Sequence, residues 1–249
     1  MTSEPAGDAA LGDAYRSGSY FSDPTRHADD AALKVRVFRS VFDRLPTETV
    51  GRVLRYADVG CGSGAVAMQT AQTLRDCGHP LSTAMAYDVS PHVAQLRLKG
   101  VETRHADFTT QPDSFDLVTV FDVAEHVPDP AHFLARIGER ARLVAVHLPL
   151  EDHLNWNLRG RHRTRLVDPG HLLVLDFAAA INVVTSSGLK VLDYAYTPGF
   201  EAPSGRSSRT AKLLAPARRF AARTSPWLVS KTLGGMSLMV LAEGSGRPT

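Results

Sequence analysis

Apolar and polar positions follow two rhythms along this chain. In residues 29–45, DDAALKVRVFRSVFDRL, Leu33, Val37, Phe38, Val41 and Leu45 recur at helical spacing, which predicts an amphipathic helix. Pro46 stops it. Short apolar runs follow, and strands are expected at 53–59 (VLRYADV), 81–87, 101–105, 115–121 (FDLVTVF) and 142–148 (RLVAVHL). Helical patterns lie between or after them at 64–76, 91–99, 131–140 and 172–187. This alternation predicts a parallel sheet with helices on both faces. Two further strands, near 190–197 and 236–243, break the rhythm, and the long basic segment between them suits a closing antiparallel pair with an inserted helix. The expected fold class is α/β: a doubly wound, seven-stranded, mostly parallel sheet with an antiparallel last strand.

The expected organisation is a flexible leader over 1–28, able to act as a lid, followed by one domain over 29–249. Substrate-facing insertions are expected at about 149–171 and 198–235, the second opening on the linker-like TPGFEAPSGRSSR.

Composition narrows the class. The chain has 249 residues, 43% of them hydrophobic, enough to bury a core without cross-links. The amino terminus lacks a basic start and an apolar run, so no signal peptide is expected. No stretch of about 18 apolar residues occurs, so no membrane span is expected either. Two cysteines suit a reducing compartment, and a cytoplasmic location is the expectation. The formal net charge of +2 argues against a large duplex footprint, and no DNA partner is expected. Charge is uneven, however: from Glu201 onward there are eight Lys/Arg against two Asp/Glu. Such a basic stretch suits a solvated helix, a membrane surface or an anionic partner.

The sharpest local signal is Asp58-Val59-Gly60-Cys61-Gly62-Ser63-Gly64, after a strand and before a helix. Glycines there allow a sharp turn and close backbone approach to a ligand, and the helix start offers free N–H groups. Gly60-x-Gly62-x-x-Ala65 also fits a dinucleotide fingerprint, so the loop alone leaves the ligand open. Asp88 ends the second strand, where a carboxylate accepts ribose hydroxyls. Asp107 and Phe108 follow the third, an acid and an aromatic suited to an adenine amino group and ring. FDVAEHVPDP, Phe121 to Pro130, follows the fourth.

Taken in order, DVGCGSG, YDVS, HADF, FDLVTVFDVAEHVPDP, HLPL and PGHLLVLDF resemble the class I S-adenosylmethionine-dependent methyltransferases over residues 53 to about 178. The chain also resembles a bacterial subset that modifies sugars and other natural products. The resemblance implies a Rossmann-like methyltransferase fold with S-adenosyl-L-methionine as cofactor. It implies that Gly60, Gly62 and Gly64 cradle the amino-acid part and that Asp58 orients the loop or the ammonium. Asp88 would hold the ribose, Asp107 the adenine amino group and Phe108 the ring. Phe121 and Asp122 would line the methionine end. Val89, after Asp88, departs from the bulkier residue of many relatives.

Methyl transfer from a sulfonium is an in-line displacement, and holding the two reactants in line supplies much of the rate. A hydroxyl acceptor also needs a general base, for which histidine is suited near neutral pH. His126 and His147 end the fourth and fifth strands, the ligand edge of such sheets. His171 opens PGHLLVLDF; His153 and His162 sit in the segment after the fifth strand, and His27, in the leader expected to act as a lid, is a further residue able to face substrate. With Asp122 these form the catalytic set: His126, His147, His171 and Asp122. A metal reading stands beside it. Asp122, Glu125 and His126 have i, i+3, i+4 spacing, which on a helix is one face, and His171 joins them from a later loop. Oxygen ligands suit Mg²⁺ or Mn²⁺, and histidine shifts the preference toward Mn²⁺ or Zn²⁺. Some small-RNA methyltransferases have a similar acid-x-x-Glu-His…His pattern. In 151–165, Trp156 suits a sugar face and Arg159, Arg161, Arg163 and Arg165 an anionic group. The expected function is O-methylation of a sugar, glycan or small natural product. Carbon, nitrogen or RNA methylation is the alternative, and an NAD-binding oxidoreductase or a non-catalytic binding module comes last.

Overall fold

The computed structural model describes residues 29–160, 170–203 and 209–246, with backbone alone for 209–214. Seven strands form one sheet: β1 (Arg55–Val59), β2 (Thr83–Asp88), β3 (Glu102–His105), β4 (Phe115–Phe121), β5 (Ala141–Leu150), β6 (Lys190–Thr197) and β7 (Met236–Glu243). Their order is β3-β2-β1-β4-β5-β7-β6. The first five pair in parallel, and β7 runs antiparallel to both β5 and β6. The labelled helices are α1 (Ala31–Phe42), α2 (Ala65–Asp76), α3 (Pro130–Gly138), α4 (Phe177–Ser186), α5 (Arg209–Thr224) and α6 (Pro226–Thr232). None of the helices among the described residues is long and apolar enough to cross a membrane.

The continuous apolar runs of the central strands follow from burial on both faces. Successive residues feed opposite layers: Tyr56, Leu117, Leu143 and Met239 pack under α1 and α2, while Ala57, Val118, Val144 and Val240 pack on the other face under α3 and α4. A third, smaller cluster of Phe200, Val229 and Met236 holds α6 against the start of β7. The paired insert between the last two strands is thus anchored at the same sheet edge as the ligand-facing strand ends.

Three expectations about elements need correction. The first helix ends at Phe42, not Leu45, although Leu45 still packs on the core. Residues 91–99 hold only a 3₁₀ turn, Pro91–Gln95; Leu96 is extended, and Leu96 and Leu98 turn inward with a period of two. The apolar stretch from Leu172 becomes helical only at Phe177, because Asp176 accepts a hydrogen bond from the Ala179 amide and sets the amino terminus there. Its leading residues are irregular and pass the site, where the Leu172 amide donates to the Glu125 carbonyl. The leader 1–28 and segment 161–169 lie outside the described residues.

Candidate active site

β1 lies where the strand order reverses, the place at which open α/β sheets bind ligands. The chain leaves β1 through Gly60–Gly64, and Gly60, Gly62 and Gly64 all have positive φ, at 72°, 53° and 76°. A Cβ on Gly60 would meet Val123 at 2.4 Å, and one on Gly64 would meet Leu98 at 2.5 Å. The loop is pinned from β2: the Gly60 and Cys61 amides donate to the Tyr87 carbonyl, and the Gly62 amide donates to the Asp88 carboxylate at 2.9 Å. The other Asp88 oxygen accepts from the Ser90 amide at 2.8 Å.

This loop edges a cavity of about 830 Å³. Asp58, Gly60, Gly62, Asp88, Asp107, Phe108, Phe121 and Asp122 all line it. Gly64 does not; it caps α2 behind the loop, and its lack of a side chain serves the Leu98 contact. Asp107 caps the next 3₁₀ turn through the Thr109 amide. Phe108 is buried edge-on to Tyr87, so only the surface of this aromatic cluster reaches the cavity. Burial pushes the Asp58 carboxyl up to about 7, with the Thr119 hydroxyl donating to it at 2.5 Å and Asp88 adding repulsion. Burial, Asp58 and Asp88 likewise push the Cys61 thiol up, so that it stays protonated.

A second cavity of about 490 Å³ adjoins the first, and Lys34, Asp122 and His126 line both. Asp122 stands at their junction with φ 55°, the sole positive φ outside glycine among the described residues. Such backbone is held by its surroundings. Here one carboxylate oxygen accepts from His147 Nδ1 at 2.6 Å and the other meets Lys34 Nζ at 2.5 Å. Lys34 also pairs with Asp30 at 2.9 Å. Burial disfavours both charges, but each supplies the other's counter-charge. Lys34 is held above its ordinary range by Asp122 and Asp30, and Asp122 well below its own by Lys34 and His147. His147 lines the second cavity, and its Nε2 is buried with no hydrogen-bond partner. With Nδ1 committed to Asp122, that nitrogen is an acceptor held in one orientation.

Glu125, His126 and His171 form another group, their candidate donor atoms all within 4.8 Å of one another. His126 Nδ1 faces the Gly170 carbonyl at 3.0 Å, His171 Nδ1 faces Glu151 at 2.7 Å, and His171 Nε2 lies 4.0 Å from Glu125 Oε1. Such outer contacts are what fix metal-binding imidazoles. Glu125 is fully buried, neither of its oxygens has a hydrogen-bond partner, and burial followed by the Asp122 charge raises its pKa well above the carboxylate range. A divalent cation fits this donor set of one carboxylate and two imidazoles, which suits Mn²⁺ or Zn²⁺ better than Mg²⁺.

The expected metal set therefore changes by one residue. Ala124–His126 is a single 3₁₀ turn and Asp122 precedes it in left-handed backbone, so Asp122, Glu125 and His126 share no helix face. Asp122 is held by Lys34 and His147 instead. Lys34 was missed because lysine ordinarily marks a solvated face. Its signal was position: Lys34 falls four and seven residues before Phe38 and Val41, within the buried stripe. Arg218, from the basic segment read as a tail, also lines the second cavity, as do Trp156 and His153, which lie ring against ring at 5.4 Å. Arg159 is exposed. His27, Arg161, His162, Arg163 and Arg165 fall outside the described residues.

The strand order, the glycine loop and the cavity at the switch point define a class I methyltransferase of the S-adenosylmethionine-dependent type. The chain belongs to the methyltransferase-domain family, whose model matches residues 27–193. It is 27% identical over 159 residues to a ubiquinone biosynthesis O-methyltransferase of Idiomarina loihiensis, covering 53% of this chain and 63% of that one. It is 27% identical over 169 residues to the polyketide synthase ThaQ of Burkholderia thailandensis, covering 64% of this chain but 7% of that protein. The chain thus spans less than two thirds of the length of each. Among solved structures, the magnesium protoporphyrin IX methyltransferase of Synechocystis with bound S-adenosylhomocysteine superposes with a TM-score of 0.55 at 14% identity, over 96% of this chain and 99% of that one. That likeness concerns the fold alone.

Proposed function

We propose that this chain transfers the methyl group of S-adenosylmethionine to a hydroxyl of a sugar or other small natural product. The observation that carries the proposal is the pair of cavities that meet at Lys34, Asp122 and His126, with His147 Nε2 on the acceptor side. In this reading the cofactor fills the larger cavity. Gly60 and Gly62 border its amino-acid part, Asp58 faces its ammonium, Asp88 takes the ribose hydroxyls, and Asp107 with Phe108 borders the adenine. Phe121 lines the methionine end, whereas Asp122 serves His147.

The acceptor hydroxyl donates to His147 Nε2, which takes its proton as the oxygen bonds the methyl carbon. The sulfur–methyl pair returns to sulfur and S-adenosylhomocysteine leaves. Asp122 keeps the imidazole in the required tautomer and Lys34 keeps Asp122 ionised, the logic of an Asp–His pair. A nitrogen acceptor needs no such base, so the buried dyad favours oxygen. Burial excludes competing water from the base.

A second reading is favoured by the buried Glu125 carboxyl, which has no hydrogen bond: Glu125, His126 and His171 would hold a divalent cation, which would supply polarisation of the acceptor oxygen. The test is methyl transfer from labelled S-adenosylmethionine to hydroxylated sugars and small phenols, after chelator dialysis and again with added Mn²⁺. Oxygen methylation by the chain is expected, with at least a ten-fold loss on chelation that Mn²⁺ restores; Glu125→Gln should abolish Mn²⁺ binding by calorimetry. A rate indifferent to chelation would sink the metal reading while leaving the dyad in place.

The Asp58 carboxyl makes cofactor binding depend on pH. It is half protonated near pH 7 in the unliganded chain, and a nearby ammonium favours its ionised form. Affinity for S-adenosylhomocysteine is therefore expected to rise as pH increases from 6 to 8, with a fraction of a proton released at pH 7. Titration in buffers of different ionisation enthalpy measures that release. Asp58→Asn should remove it.

A further inference from the structure

Arg218 sits on α5, within the insert between β6 and β7, and lines the second cavity. Its guanidinium lies over the Phe200 ring at 4.8 Å, and one terminal nitrogen donates to the Gly234 carbonyl at 2.7 Å. These two contacts hold the side chain without neutralising it. Among the described residues no carboxylate pairs with Arg218. Glu201, next in the chain to Phe200, instead meets Arg36 at 3.7 Å and Arg219 at 3.8 Å. The Arg218 Nε is buried with no partner, and burial alone lowers the group's pKa, with no acid opposing it. A fixed, half-buried cation without a counter-charge is costly for the protein alone, and guanidinium is the side chain best shaped to receive a carboxylate or phosphate.

The wall of the cavity also carries Asp30, Lys34, Asp122, Glu125, Glu151 and four histidines. Glu151 and His153 come near the Arg218 end: Glu151 follows Leu150, the partner of Met236, and the His153 ring abuts Gly234. The Glu151 carboxylate already faces His171 Nδ1 at 2.7 Å. The spacing follows from the sheet. His147 lies opposite Met239 on β7, and Met236, the strand's first residue, is three positions away. Gly234, which holds Arg218, lies two residues further from Met239 than Met236 does, so Arg218 and His147 stand apart along the cavity.

We infer that Arg218 is a specificity-determining residue: it receives an anionic group, carboxylate or phosphate, carried by the acceptor away from the hydroxyl that is methylated. The inference rests on the methyl-transfer reading, since that reading makes the second cavity the acceptor site. It adds a chemical class, acidic hydroxy compounds, that a neutral sugar lacks.

The test uses the chain loaded with S-adenosylhomocysteine and two matched pairs: 3,4-dihydroxycinnamate against its methyl ester, and glucose 6-phosphate against glucose. The two arms separate carboxylate from phosphate. In at least one pair the anionic member is expected to bind about ten-fold more tightly or better, as a charge-assisted bond allows. Arg218→Gln should erase that ratio and Arg218→Lys retain part of it, with S-adenosylhomocysteine affinity unchanged in both. Ratios near one in both pairs, or a ratio that survives Arg218→Gln, would overturn the inference and leave methyl transfer standing. Failure of the wild-type chain to bind S-adenosylhomocysteine would count against the methyl-transfer reading itself.

Discussion

Replacing His147 with alanine is expected to lower kcat by about 10²–10⁴-fold, the range for losing a general base, with S-adenosylhomocysteine affinity nearly unchanged. The separation follows from position. His147 lines the acceptor cavity and is absent from the wall of the larger one. Asp122→Asn should cost a comparable factor, because an amide leaves Nδ1–H without its carboxylate and Lys34 with Asp30 as its one remaining counter-charge. The two variants should be far from additive, since each removes the same unit. Raising the pH of the Asp122→Asn assay will not restore the rate if Asp122 sets the tautomer. His126→Ala is the informative control, because His126 belongs to the Glu125–His171 group. A strong loss there that Mn²⁺ cannot reverse, together with an active His147→Ala, would move the base from His147 to His126.

Asp88→Ala carries the second large effect, this time on binding. Asp88 performs two tasks at once: its oxygens accept from the Gly62 and Ser90 amides, and its carboxylate lines the cofactor cavity. Hydrogen bonds to a charged group contribute about 1.5–3 kcal/mol each. Losing two ribose hydroxyls therefore costs on the order of 10²–10⁴ in affinity. The two lost amide contacts should also lower the unliganded melting temperature by a few degrees. Calorimetric titration with S-adenosylhomocysteine, paired with thermal unfolding, separates the two. If Asp88 served only the loop, affinity would fall no further than the loss of stability explains.

The sheet was readable because both faces of its central strands are covered. FDLVTVF and RLVAVHL are each apolar at five of seven positions, with β-branched and aromatic residues that suit a strand buried on both faces. The glycine loop was readable because positive φ admits few residues. Other features were hidden by the rules that made these visible. The expected helix over 91–99 failed because Leu96 and Leu98 alternate, a period that short windows confuse. Asp122 was assigned to a helix face by spacing alone, and nothing local announces left-handed backbone at an aspartate. Lys34 and Arg218 are charges on elements expected to present charge to water, and groups distant in sequence, Asp122 for the first and Phe200 and Gly234 for the second, help to receive them. Such departures between local pattern and structure gather at functional sites. Here they surround the second cavity.

The central claim is that the larger cavity is built for S-adenosylmethionine. The most direct measurement is calorimetric titration of the purified chain with S-adenosylhomocysteine, with NAD in a parallel cell. The account predicts one site of micromolar affinity for the first and no binding of the second. Binding of NAD in place of S-adenosylhomocysteine, or of neither, would contradict it.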